Sequence, residues 1–172
     1  MGLVFLLAKD LQSHQQLCHR CFAFLDQYPD PDYAREVLLT FLAGQIKVTD
    51  DPAPAALKWV DKLSAHSPLT GTDRVGLARA MAAYRLGRYE EAIALSELAS
   101  RSTQLATRCA GQIIRAIALA RSGRLVEGSK ELRQSEEQLA PNLTTLPPLF
   151  WTDLALCRLA LDEAHKLFAD IK

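Results

Sequence analysis

"YRLGRYEEAIALSELA", residues 84–99, and "ARSGRLVEGSKELRQS", residues 120–135, each place a Gly-Arg pair between two runs of helically spaced apolar residues. The second stretch begins 36 residues after the first. Glycine is common just after a helix end, because the backbone there often takes a left-handed conformation that other residues resist. The two stretches therefore predict one turn that is used twice, each time between two helices.

The 36-residue register extends through both helices of each copy. It superposes Leu77 on Ile113, Arg79 on Arg115, Ala80 on Ala116, Ala82 on Ala118, Arg85 on Arg121, Glu91 on Glu127 and Ala92 on Gly128. Small residues recur where the two helices of a hairpin would meet, namely Ala80, Ala92 and Ala99, then Ala116, Gly128 and Ser135. A glycine inside a helix costs about 1 kcal/mol relative to alanine. Gly128 therefore indicates a close helix approach that offsets this cost.

The rest of the sequence also consists of helix signals. Asp10 can cap a helix that runs to about Tyr28, while Asp30-Pro31 and Asp51-Pro52 each combine an N-cap with a first-turn proline. A last helix is expected from about Leu149 to Ile171, after two prolines. No short run of β-branched residues between turn signals competes with this pattern. The sequence predicts an all-α fold of eight helices, whose short connections make neighbours antiparallel.

Bulk properties narrow the class of protein. The chain has 172 residues, 49% of them apolar, so one domain over residues 1–172 is expected. Lys plus Arg and Asp plus Glu both number 20, so the chain has no net charge that would attract it to nucleic acid or to an anionic membrane. The apolar run Leu3–Ala8 is too short for a signal peptide or a membrane span. Four scattered cysteines suit a reducing compartment, so a cytoplasmic protein is expected.

The repeated segment resembles a known family. Its positions Ala80, Gly87, Tyr89, Ala92 and Ala99 fall at the spacing of the tetratricopeptide repeat (TPR), a helix-turn-helix unit of about 34 residues. Ala116, Gly123, Leu125, Gly128 and Ser135 resemble a second, more diverged copy. Gly76 and Arg79 depart from the family, which usually has a large aromatic residue and a leucine there. The resemblance implies stacked antiparallel hairpins in a short α-solenoid: degenerate helices at 11–66, repeats at 72–101 and 108–138, and a capping helix at 148–171.

The order of segments carries a second resemblance. "HQQLCHRCFAFLDQYPDPDYAREVLLTFLAG", the two repeats and "PPLFWTDLALCRLALDEAHKLF" look like the C-terminal TPR-like region of certain bacterial multidomain proteins. In those proteins a protein kinase or a β-propeller precedes the module. This chain has no Gly-rich loop, His-Arg-Asp or Asp-Phe-Gly, so any kinase activity would belong to a larger parent protein.

In a TPR-like stack the first helices of the hairpins line a concave groove. By that resemblance the groove-facing residues are Arg74, Leu77, Met81, Tyr84, Arg85, Ile113, Ile117, Ala120 and Arg121. This apolar surface with a basic edge suits an extended or helical peptide that has hydrophobic anchors and an acidic residue. Leu77 and Met81 stand where a clamp for chaperone tails has Lys and Asn, so that ligand is not implied. Two arrangements stay open: a free groove, or one filled by the chain's own first or last helix.

The expected function is a non-catalytic interaction module that binds a partner protein or peptide, with no nucleic acid, membrane, metal or other cofactor involved. The alternative is a structural or oligomerisation module whose groove is filled by its own terminal helix, for which a homodimer would cover the exposed ends of so short a solenoid. An affinity for RNA is disfavoured by the balanced charge.

The sharpest candidate for other chemistry is "HQQLCHRC", which puts His14, Cys18 and Cys21 on one helix face. These three side chains could hold zinc if a fourth ligand came from elsewhere. We favour a core position for them, because Leu11 and Leu25 continue the same stripe and no second ligand cluster follows. His66 and His165 have nearby hydroxyl or acidic residues only in sequence, and Glu90-Glu91 complement a helix dipole. No catalytic residue is therefore predicted.

Overall fold

The computed structural model describes residues 10–43, 53–66, 72–141 and 151–170. Within these ranges the chain forms eight α-helices and no β-strand, which confirms the all-α prediction. The helices are α1 (Leu11–Gln27), α2 (Pro31–Ala43), α3 (Ala53–His66), α4 (Thr72–Arg85), α5 (Tyr89–Ser100), α6 (Leu105–Arg121), α7 (Leu125–Leu139) and α8 (Trp151–Asp170). None of these eight helices combines the length and the apolar character needed to cross a membrane.

Two of the predicted helix starts are confirmed in detail. The carboxylate of Asp10 accepts a hydrogen bond from the backbone amide of Ser13 at 3.0 Å, and that of Asp30 accepts one from Tyr33 at 2.9 Å. Each aspartate thereby satisfies an amide that the first helical turn leaves without an intrahelical partner. The third start signal, Asp51-Pro52, lies outside the described residues.

The repeated Gly-Arg turn has the same geometry in both copies. Gly87 has a φ of 74° and Gly123 a φ of 89°, both in the left-handed region. The amide after each glycine donates to a carbonyl five residues back, Arg88 to Ala83 at 2.9 Å and Arg124 to Leu119 at 2.8 Å. This bonding satisfies the last carbonyls of α4 and α6. The predicted use of one turn twice is therefore confirmed.

Small residues bring the backbones of neighbouring helices into contact. A Cβ atom added to Gly128 of α7 would lie 2.6 Å from the carbonyl oxygen of Ala116 in α6. On the other side of α6, a Cβ on Gly111 would lie 2.7 Å from the Cβ of Ala99 in α5. The remaining predicted contact residues, Ala80, Ala92 and Ser135, are fully buried. The close helix approach inferred from Gly128 is thus present.

Helix α6 is the centre of the packing. It contacts α5, α7, α8 and α4, and its residues from Ala106 to Ala120 are buried except Arg108 and Arg115. Helices α4 and α5 form one hairpin and α6 and α7 a second, while α2 packs on α1, α3 and α4. A helix with neighbours on several sides needs apolar residues over most of its surface, and α6 is rich in Ala and Ile, although it also buries the polar side chains of Thr107 and Gln112.

Two helix boundaries differ from the expected repeats. Helix α6 begins at Leu105, three residues before the predicted repeat at 108–138, and α7 ends at Leu139. The earlier start follows from burial, because Ala106 and Thr107 are packed into the core and Gln104 accepts the amide of Arg108 at 3.0 Å. Helix α8 lies inside the predicted range 148–171, of which residues 148–150 and 171 are outside the described residues.

Candidate interaction surface

The predicted groove residues are not open to solvent. Six of them are between 0% and 7% exposed: Leu77, Met81, Tyr84, Ile113, Ile117 and Ala120. Helix α2 packs along α4, helix α8 packs along α6, and α2 and α8 also contact each other. These side chains are therefore covered by α2 and α8, the second and the last of the described helices, and do not line a free groove. A role for these residues in partner binding, which stays a prediction, requires that a covering helix move away.

Helix α8 covers α6 with a stripe of apolar side chains. The stripe consists of Leu156, Cys157, Ala160, Leu161, Ala164 and Leu167, all buried. The thiol of Cys157 donates to the carbonyl of Ala106 at the start of α6 at 3.2 Å. Near the other end of α8, Phe168 reaches Gly128, where its Cζ atom would lie 3.1 Å from an added Cβ. We call the surface that receives α8 the α8-binding surface; it comprises Tyr84, Arg85, Ala106, Gly128 and the buried face of α6.

A charged contact anchors the middle of α8. Arg85, the last residue of α4, donates from Nη1 and Nη2 to the two carboxylate oxygens of Glu163, both at 2.7 Å. Its Nε donates to the carbonyl of Leu42 in α2 at 3.0 Å. The two side chains are only 12% and 15% exposed. A paired-fork contact of this kind is the strongest geometry available to an arginine and a carboxylate, and here it joins α2, α4 and α8 at one point.

Tyr84 completes this anchor. Its hydroxyl donates to Glu163 Oε1 at 2.9 Å, and the Arg85 guanidinium carbon lies 5.2 Å from the centre of its ring. Burial, followed by the nearby carboxylate, raises the pKa of Tyr84 to about 12. The hydroxyl therefore keeps its proton at neutral pH and acts as a donor to Glu163. Glu163 thus accepts three hydrogen bonds from two adjacent residues of α4.

The two remaining groove residues lie at the edges. Arg74 donates from Nη2 to Glu36 Oε2 of α2 at 3.0 Å, with side chains 22% and 37% exposed. Arg121 is exposed at the end of α6. Of the three arginines predicted at the basic edge, Arg74 and Arg85 thus bind carboxylates of the chain itself.

Glu163 is the residue of the contact with Arg85 that the sequence analysis does not identify. It is one of the acidic residues that lie near His165 in the sequence, and its position carries a usable signal. Glu163 follows Leu156 by seven residues and precedes Leu167 by four, so it interrupts an apolar helical stripe. A carboxylate in such a stripe must be paired to be buried, which predicts a basic partner. Nothing in the sequence identifies that partner as Arg85, 78 residues away in the chain.

The His14, Cys18 and Cys21 face lies between α1 and α2. His14 is fully buried, and its Nε2 is 3.1 Å from the carbonyl oxygen of Thr40. Burial lowers the pKa of His14, although the hydrogen bond to Thr40 opposes this shift, and burial raises the pKa of Cys18 to about 12. A neutral imidazole that donates to a carbonyl and a protonated thiol are core groups. No cluster of three or more potential metal ligands occurs in the part of the chain that the structure describes.

A cavity of about 220 Å³ opens beside this face. Its walls are formed by Leu17, Cys18, Cys21, Tyr33, Glu36, Val37 and Thr40. The Tyr33 hydroxyl is 3.3 Å from the Cys21 sulfur. The four cysteines, all within the described residues, form no disulfide.

His165 and Glu91 each pair with another residue of the described chain. His165 pairs with Glu136 of α7, and the exposed Glu91 lies 3.6 Å from Arg88 at the start of α5. The side chain of His66 lies outside the described residues. Comparison of the chain with protein-family models, with curated proteins and with solved structures finds no match.

Proposed function

We propose that this chain is a non-catalytic protein-interaction module built on a TPR-like solenoid, which binds a partner protein or peptide. Three features support the solenoid: a turn repeated after 36 residues, contacts between successive helices from α4 to α7, and contact between the first helices of the two hairpins, α4 and α6. Stacked hairpins of this kind present long surfaces to other chains. The cytoplasm remains the proposed compartment, on the four scattered cysteines, and a larger bacterial signalling protein remains the proposed parent, on the resemblance given above.

One observation carries the proposal of binding. The α8-binding surface holds an amphipathic helix through an apolar stripe, and Arg85 and Tyr84 together donate three hydrogen bonds to one carboxylate on it. This is the helix-in-groove mode by which many modules recognise a partner. The chain supplies its own ligand here, so the proposed partner is a helix that replaces α8.

Capture of partners by two matched variants tests this proposal. Glu163→Arg places a like charge against Arg85 and should release α8, whereas Arg85→Glu combined with Glu163→Arg restores opposite charges and should keep α8 in place. Each tagged variant is incubated with an extract of the source cells, and the bound proteins are identified. We expect the Glu163→Arg variant to retain at least one protein from the extract that the double variant does not retain. Equal recovery with both variants would exclude binding at the α8-binding surface.

The burial of Leu77, Met81, Ile113 and Ile117 favours a second candidate function. If α8 never leaves, the module is a structural or oligomerisation unit whose groove is filled by its own helix. Its contacts with other chains would then use outer surfaces. Light scattering over a wide concentration range separates the candidates, because self-association raises the mean mass with concentration, whereas the interaction module stays at the mass of one chain.

A further inference from the structure

We propose that the α8-binding surface selects its partner by one carboxylate on an amphipathic helix, and that this helix competes with α8 for the same surface. The inference rests on the proposed function and names the class of partner. Its basis is the arrangement of donors and small residues around Glu163, together with the attachment of α8 to the same chain.

Selection of a carboxylate follows from the donors of Arg85 and Tyr84. The Nε of Arg85 is held by the carbonyl of Leu42 at 3.0 Å, which orients the guanidinium so that Nη1 and Nη2 face α8. The Tyr84 hydroxyl adds a third donor on the same side. A neutral amide in place of Glu163 would present one oxygen instead of two and no charge. A helix without an acidic residue at this point would leave a nearly buried guanidinium unpaired.

The shape of the surface limits the residues beside that carboxylate. In α8 the positions three before and one after Glu163 are Ala160 and Ala164, which are 7% and 0% exposed. The larger buried residues of the stripe are Leu156, Leu161 and Leu167. The structure therefore points to a helix with small residues three before and one after the acid, and leucine-sized residues seven before, two before and four after it.

Attachment of α8 to the same chain makes it a strong competitor. A tethered segment acts at an effective concentration of order millimolar, so an added helix displaces it only when α8 is weakened or the added helix binds much better. The apparent affinity for a partner falls with the fraction of chains whose surface is uncovered. Helix α8 thus sets a threshold for partner binding.

The test uses the full chain and a labelled peptide that has the sequence of residues 151–170, kept under reducing conditions. The peptide is titrated into the wild-type chain and into the Glu163→Arg chain, and binding is followed by fluorescence anisotropy. We expect an apparent affinity for the Glu163→Arg chain at least about 30-fold higher than for the wild type, because loss of a buried ion pair frees the surface. A Glu163→Gln peptide should bind the same chain at least about 10-fold more weakly than the unchanged peptide.

Charge reversal provides the matched control. The Arg85→Glu chain should reject the unchanged peptide and bind the peptide that carries Glu163→Arg, which no general exposure of apolar surface would produce. Circular dichroism checks that each variant remains helical, and Glu163→Gln in the chain replaces Glu163→Arg if that variant unfolds. Equal binding of acidic and amide peptides, or no binding to a folded Glu163→Arg or Glu163→Gln chain, would overturn the inference. If the peptide test fails in this way but capture from the cell extract still distinguishes the two variants, the proposed function stands and only this class of partner is excluded.

Discussion

Gly128 of α7 lies so close to the backbone of Ala116 in α6 that an added Cβ would be 2.6 Å from the Ala116 carbonyl oxygen. Real Cβ atoms do not approach a backbone oxygen to this distance, so the two helices could not keep their separation. The same Cβ would lie 3.1 Å from the ring of Phe168 in α8. One glycine thus sets the distance of α6 from α7 and also accommodates α8.

Gly128→Ala is therefore expected to destabilise the protein despite the better helix propensity of alanine. Overpacking of a close contact costs about 1 to 3 kcal/mol, which exceeds the gain of about 1 kcal/mol from the substitution itself. Gly76→Ala is the control, because its Cβ would lie 3.6 Å from the nearest side-chain atom, an ordinary contact. We expect that variant to be more stable by up to about 1 kcal/mol. Urea unfolding of both variants measures the difference, and a stable Gly128→Ala protein would mean that the hairpin is wrongly placed.

Replacement of either turn glycine should have nearly the same effect. Gly87 and Gly123 have left-handed backbones and no atom within 4 Å of an added Cβ, so only the strain of the backbone matters. Alanine at either site should lower the free energy of unfolding by about 1 kcal/mol, and asparagine by less, because it tolerates this conformation better. Thermal melts of the four variants test this. A cost at one site only would show that the two turns are not equivalent.

Removal of Glu163 should destabilise the protein more than removal of any exposed acid on α8. Glu163→Ala leaves the guanidinium of Arg85 without its partner in a position that is 12% exposed, and we expect a loss of about 3 kcal/mol. Asp162→Ala is the control on the same helix. It breaks an exposed pair with Arg158 and should change stability by about 0.5 kcal/mol or less. Chemical denaturation compares the two, and similar losses would show that the anchor contributes no more than a surface contact.

Charged residues in the middle of the predicted groove should prevent folding. Ile117 is fully buried and Met81 is 2% exposed, so glutamate at either place would put an unpaired charge into the core. Val126 is 85% exposed, and Val126→Glu should leave the stability almost unchanged. Circular dichroism and expression level distinguish these outcomes. Folded Ile117→Glu and Met81→Glu proteins would show that the groove opens at little cost.

The stability of the wild-type protein should fall as the pH is lowered from about 7 to 5. The pKa of His14 in the folded chain lies below its ordinary value of 6.5, because the imidazole is buried. Below pH 6.5 the unfolded chain binds a proton at His14 that the folded chain does not bind. The contribution of His14 to the free energy of unfolding is therefore fully present above pH 6.5 and is lost as the pH falls toward the pKa of the folded chain. His14→Phe removes the titrating group and should flatten the dependence of the melting temperature. An unchanged slope would place the acid sensitivity elsewhere.

Local sequence signals determined the helical class, two of the helix starts and the repeated turn. Asp10, Asp30, Gly87 and Gly123 act on backbone groups a few residues away, so their effect can be predicted without knowing the rest of the chain. Gly128 is a partial case. Because glycine destabilises a helix, its presence predicts a close contact with another helix.

Only the tertiary structure decided which surface is covered and by what. An apolar stripe such as Leu77, Met81 and Ile117 is equally compatible with a free groove and with a core, because both need the same residues. The choice depends on contacts between distant segments, above all Arg85 with Glu163, 78 residues apart, and Arg85 with the carbonyl of Leu42, 43 residues apart. Hydrophobic burial is non-directional, so an apolar stripe indicates that it will be covered but does not indicate which helix covers it.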